Sequence, residues 1–84
     1  MFGFFKRWSA ATRRQRILDW MRADPGWHYG LDLVKAGLAS RSTIYIHLAK
    51  LQDLGLVEFR WETPVRPGVV RPQYRAKELQ EIDT

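Results

Sequence analysis

The sequence predicts a mainly helical α+β domain in which three helices are followed by a two-stranded β-hairpin, and three observations carry that expectation. Ile44, Leu48 and Leu51 keep the i, i+4, i+7 rhythm of one buried helix face. From Leu56 the period changes to two. Val57, Phe59 and Trp61 alternate with Glu58, Arg60 and Glu62, as in a strand covered on one side. Turn formers at Asp24-Pro25-Gly26, Gly37, Gly55 and Thr63-Pro64-Val65-Arg66-Pro67-Gly68 divide the 84 residues into short elements.

The first helix is predicted to start at Ser9 or Thr12, because Thr12-Arg13-Arg14-Gln15 has the spacing of a reciprocal cap, and to run to about Ala23. Ile17, Leu18 and Met21 form its apolar side, with Trp20 at the border. Trp27-His28-Tyr29 reads as a short extended piece. Leu31, Leu33, Val34 and Leu38 support a short second helix closed by Gly37, with Gly37-Leu38-Ala39 as the turn into the third. Ser40 is the expected N-cap of that third helix, and Gly55 lies just beyond its end. Burial of Ile44, Leu48 and Leu51 fixes the rotation of the third helix. Ser42, Ile46, Ala49, Lys50 and Asp53 must point away from the core, with Arg41, Thr43 and Tyr45 on the flanks. Val69 to Ala76 form the returning strand around Tyr74, with Pro72 confining it to an edge. Residues 1–8 are then an aromatic and basic N-terminal segment, 9–77 the folded domain and 78–84 an acidic tail.

Composition limits what such a domain can do. The chain fits one domain, with little apolar material for a second core or a deep substrate cavity. No apolar run approaches the ~20 residues of a spanning helix. There is no cysteine, and His28 and His47 lack partners at metal-ligand spacing, so neither disulfide, metal nor cofactor is expected, in a cytoplasmic setting. Phosphate-binding and dinucleotide glycine motifs, a nucleophile elbow and paired carboxylates are all missing, and an enzyme ranks last. The net charge of +5 is unevenly placed. Residues 1–18 carry Lys6, Arg7, Arg13, Arg14 and Arg16 without an acid, and residues 63–77 carry Arg66, Arg71, Arg75 and Lys77 without an acid.

A helix that projects from the domain beside a basic hairpin suits duplex DNA, whose major groove is about 12 Å wide and admits one helix. Arg41 is suited to a guanine edge, Ser42 and Thr43 to bases or phosphates, and Ile46 to a thymine methyl. Lys50 fits phosphate, and the wing arginines Arg66 and Arg71 fit phosphates or the minor groove. Helix 40–54 is thus expected in the major groove, with the wing 63–71 on the backbone.

From Ser40-Arg41-Ser42-Thr43-Ile44-Tyr45-Ile46-His47-Leu48-Ala49-Lys50-Leu51-Gln52-Asp53-Leu54-Gly55-Leu56-Val57 the chain resembles the winged helix-turn-helix domain of PadR-like bacterial transcriptional regulators, over about residues 14–76. That family carries Ser, then Thr-Leu-Tyr-Pro, Leu-x-Arg-Leu-Glu and Gly-Leu-Val at these places. Phe59-Arg60-Trp61-Glu62 and Arg71-Pro72-Gln73-Tyr74-Arg75 add wing-strand matches. His28-Tyr29-Gly30 stands where the family has His-Gly-Tyr, and Ile46 replaces its proline. Only Lys77 to Thr84 occupy the place of its C-terminal dimerisation domain. The resemblance implies DNA contacts from Ser40 to Lys50 and Arg66 to Arg71, and no catalytic residues.

Plainer readings stand beside these. Arg13, Arg14, Arg16 and Arg22, taken singly, read as a solvated face. Tyr45 has two readings, a phosphate contact or packing on Trp61 or a partner subunit. Trp61 and Tyr74 read as hairpin core, and His47 as structural. The opening MFGFFKRW, with Phe2, Phe4, Phe5 and Trp8, has three readings in order: cover for the domain's own core, self-association into a homodimer, or a headgroup anchor. Two further functions are kept: a small DNA-architectural factor of the excisionase kind, and a winged-helix protein-interaction module.

Overall fold

The hydroxyl of Ser9, not that of Thr12, opens the first helix. Its Oγ accepts the Thr12 N–H at 3.1 Å, while Gln15 turns forward to donate to Asp19. In the computed structural model, which describes residues 8–63, 68 and 70–77, helix α1 then spans Ala10–Ala23. Helix α2 spans Gly30–Lys35 and starts where the Asp32 carboxylate accepts the Tyr29 N–H at 2.9 Å. Helix α3 spans Arg41–Asp53, strand β1 Val57–Trp61 and strand β2 Pro72–Ala76. The architecture is therefore α+β and mainly helical, three helices and an antiparallel hairpin, as in a winged helix.

Helices α2 and α3 end by the same device. Gly37 and Gly55 take φ of +79° and +75°, a backbone state open to glycine at little cost. The next residue then bonds back across the last turn, Leu38 N–H to Leu33 O and Leu56 N–H to Leu51 O. Leu38 and Leu56 are delivered against the core as a result. The connection between α2 and α3 thus runs from 36 to 40, longer than the expected turn of Gly37 to Ala39, because α2 stops at Lys35. Leu31, expected on the buried side of α2, is 41% exposed, since six residues bury little beyond Leu33.

The core joins Ile17, Leu18 and Met21 of α1, Leu33 of α2, Ile44, Leu48 and Leu51 of α3, Val57 of β1 and Tyr74 of β2. Burial of each such aliphatic side chain contributes about 1.5–3 kcal/mol, which is what holds α3 at its particular rotation. The hairpin pairs Val57 with Ala76, Phe59 with Tyr74 and Trp61 with Pro72. The extended piece before α2 joins it, for His28 exchanges two 2.8 Å backbone bonds with Tyr74. Strand β2 therefore has a neighbour on each side at Tyr74, and Pro72 is accommodated as its first residue instead of by an edge position.

Period-two alternation sorts this sheet into two faces. Val57, Phe59, Tyr74 and His28 face the helices, His28 lying 4.9 Å from the Trp20 ring of α1. Trp61 continues that face but is 60% exposed, so it is not hairpin core as expected. Helices underlie only the first part of β1, whose burial falls steadily towards Trp61. On the outer face Arg60 and Arg75 place their guanidinium carbons 4.2 and 4.6 Å from the Trp27 ring centre, and Arg75 pairs with Glu58.

Candidate nucleic-acid interface

Helix α3 presents the surface expected of it. Ile44, Leu48 and Leu51 are 0–1% exposed, so the opposite side of the helix turns outward: Ser42, Ile46, Ala49, Lys50 and Asp53 are exposed, Ile46 by 67%, and Arg41 is exposed on the flank. Thr43 and Tyr45 are half-buried flanks. Among the described residues, neither Arg41 nor Lys50 forms a salt bridge. Two long cationic side chains thus stand about two and a half helical turns apart, Lys50 on the outward face with Ser42, Ile46, Ala49 and the acidic Asp53, and Arg41 on its flank at the N-terminal end.

Ser40 occupies the N-cap position, but its hydroxyl donates to Thr43 Oγ1 at 3.0 Å instead of accepting a backbone N–H. Among the described residues, the first turn of α3 therefore keeps free N–H groups, which favour a negative partner. Arg13 braces the approach to this end: its guanidinium donates to the Leu38 carbonyl, tying α1 to the segment that enters α3.

Tyr45 packs inside the chain, but not on Trp61, the surface expected within it. Its ring lies against Gly30 and 6.4 Å from the ring of Tyr74, not on Trp61. Gly30 allows that approach because a Cβ there would stand 2.6 Å from Tyr45 Cζ. The Tyr74 hydroxyl is raised above its ordinary pKa by burial and by the neighbouring Tyr45.

Arg71 is at the loop end of the hairpin, just beyond the Trp61–Pro72 pair, and is already engaged. Its Nε lies 3.5 Å from Glu62 Oε1, its backbone N–H donates to the same oxygen, and its guanidinium carbon lies 3.9 Å from the Tyr29 ring centre. The Tyr29 hydroxyl donates to the other oxygen of Glu62. That hydrogen bond, with Arg71 beside it, holds Glu62 below the usual carboxylate range; the same bond, with burial and the Glu62 charge, raises Tyr29 against the opposing pull of Arg71. Together the three residues fasten the root of the wing to the start of α2. Tyr29 and Glu62 were not legible as partners, since 33 positions separate them.

His47 lies on the α1 side of α3, 5% exposed, with no hydrogen-bond partner for Nδ1 among the described residues. Burial first, and then Arg14 and Arg13, depress its pKa below the ordinary histidine value. Trp8 receives the guanidinium of Arg16 at 4.2 Å and that of Arg13 at 5.2 Å. Arg66, Phe2, Phe4 and Phe5 lie outside the described residues. Among the described residues, no cluster of three His, Asp or Glu could hold a metal, and no helix is long and apolar enough to cross a membrane.

Comparison with protein-family models, with curated proteins and with solved structures gives no match to this chain.

Proposed function

We propose that the protein binds double-stranded DNA, with α3 in the major groove and the hairpin on the adjoining backbone. The observation that carries this reading is the outward face of α3, where Arg41, Ser42, Ile46 and Lys50 are exposed and the two cations have no ion-pair partner among the described residues. Such a face supplies the groups that read a major groove: a forked donor for a guanine edge, a hydroxyl, an apolar tip for a thymine methyl and a cation for phosphate. Arg41 reads bases, Ile46 covers a methyl, Ser40, Thr43 and Lys50 meet phosphates, and Arg71 reaches phosphate once its hold on Glu62 loosens. Tyr45 supports α3 from within and makes no contact of its own. In role the protein is a transcriptional regulator similar to the PadR-like class, acting by occupying an operator, and it works without a cofactor.

The alternatives separate in one experiment, selection of bound sequences from a random duplex pool at low salt. A regulator enriches a defined motif. An excisionase-like architectural factor gives weak repeated enrichment with footprints that lengthen as protein is added. A protein-interaction module enriches nothing, and that result overturns the proposal. Affinity is also expected to fall roughly a thousandfold between 50 and 200 mM salt if about six phosphates are neutralised.

A further inference from the structure

Trp61 ends β1 on the face that carries Val57 and Phe59, yet it stands 60% exposed. It is held from behind. Its ring meets Phe59 nearly edge to face at 5.2 Å and 80°, Phe59 meets Tyr74 at 5.6 Å, and Tyr74 meets Tyr45 of α3 at 6.4 Å. A file of four aromatic rings therefore runs from α3 along the hairpin, and its last ring projects into water. Pro72 is opposite Trp61 in register, and Val70, two residues before Pro72, is 39% exposed, which widens the apolar strip.

A rigidly backed indole of this kind has a cost in water, and its surroundings indicate what would cover it. A second copy of the chain is too large an occupant for this strip, because a stable protein interface buries about 800 Å² per partner and, among the described residues, Trp61, Val70 and Pro72 supply only a fraction of that. A DNA minor groove is about 6 Å wide, and one or two apolar side chains suffice to enter it and partly unstack a base step. The exposed cations suit DNA: Arg71, paired with Glu62, is at the same end of the hairpin, and Arg41 and Lys50 are exposed on α3, whereas Arg60 lies on the other face of the sheet.

We propose that Trp61 is an apolar wedge that enters the minor groove next to the major-groove site of α3, partly unstacking a base step and bending the duplex. This rests on the DNA-binding reading above and adds a contact and a deformation to it.

The test titrates the full chain and its Trp61→Ala, Trp61→Phe and Lys50→Ala variants into a random-sequence duplex of about 30 bp carrying a donor and an acceptor dye at its ends, a length over which protein-induced bends are measurable. The parent is expected to shorten the end-to-end distance. Trp61→Ala is expected to bind about tenfold more weakly, as for loss of one stacked aromatic, and to leave the duplex straight. Its salt slope should match the parent's, because no cation is removed, whereas Lys50→Ala lowers the slope by about one and preserves the bend. Trp61→Phe should retain most of the bend, and since residue 61 is exposed, circular dichroism of both variants should match the parent. Parent and Trp61→Ala binding and bending alike, or both leaving the duplex straight, would overturn the wedge while leaving DNA binding intact. Loss of self-association in Trp61→Ala without DNA would assign the indole to a second copy instead and overturn it too. No binding by the parent at low salt would remove the wedge together with the reading beneath it.

Discussion

The phenol of Tyr45 rests on Gly30 so closely that a Cβ at residue 30 would stand 2.6 Å from its Cζ and 2.7 Å from its hydroxyl oxygen. This contact seats α3 on the start of α2. Gly30→Ala should therefore push the ring off Tyr74 and destabilise the domain by about 1 kcal/mol or more, overpacking outweighing the better helix propensity of alanine. In a Tyr45→Ala background the same change should be neutral or stabilising by up to ~1 kcal/mol. Urea unfolding of the four proteins gives the coupling, and simple additivity would mean that the ring does not depend on Gly30.

The rotation of α3 can be read from a pair of truncations. Leu48, fully buried, should lose about 2–5 kcal/mol on change to Ala, whereas Ile46, 67% exposed, should stay within about 0.5 kcal/mol of the parent. Equal losses at the two positions would place Ile46 in the core and remove the outward face.

Stability should fall on mild acidification because of His47. Its folded pKa lies below its unfolded value of about 6.5, so between the two the unfolded chain binds more protons and stability declines as pH drops. Glu62 acts in a lower window. Its depressed pKa gives stability that is complete above the unfolded value of about 4.3 and is lost as pH falls through the folded one. Urea midpoints measured from pH 7.5 to 5 should thus drop in the parent and remain nearly flat in His47→Leu. A persistent slope in that variant would assign the effect to other groups.

Releasing Arg71 from Glu62 should strengthen DNA binding. Glu62→Gln removes the carboxylate that pairs with Arg71 and one negative charge near the duplex. Several-fold tighter binding at low salt, with a salt slope steeper by about one, is expected in a salt titration. An unchanged slope would place Arg71 away from phosphate.

The three-helix order, the hairpin and the outward face of α3 were legible because they rest on local spacing. Three leucine-like positions at helical intervals settle a rotation, and a glycine after each of α2 and α3 settles its end. Trp61 was misjudged because alternation tells which face a residue takes but not how far the core extends beneath it. The engagement of Arg71 and the packing of Tyr45 on Gly30 depend on hairpin register and on the approach of two helices, which no local pattern encodes. His28, expected only within a short extended piece, also bridges by its backbone to Tyr74 and packs its ring beside Trp20, pairings that no local pattern encodes.

Backbone amide shifts of the isotope-labelled protein, followed by NMR while duplex DNA is added, test most directly whether the outward side of α3 receives the duplex. The largest changes are expected at Arg41, Ser42, Ile46, Ala49 and Lys50, with smaller ones in β1 and β2. Changes confined to α1 or to the outer sheet face around Trp27, Arg60 and Arg75, with α3 unmoved, would contradict it.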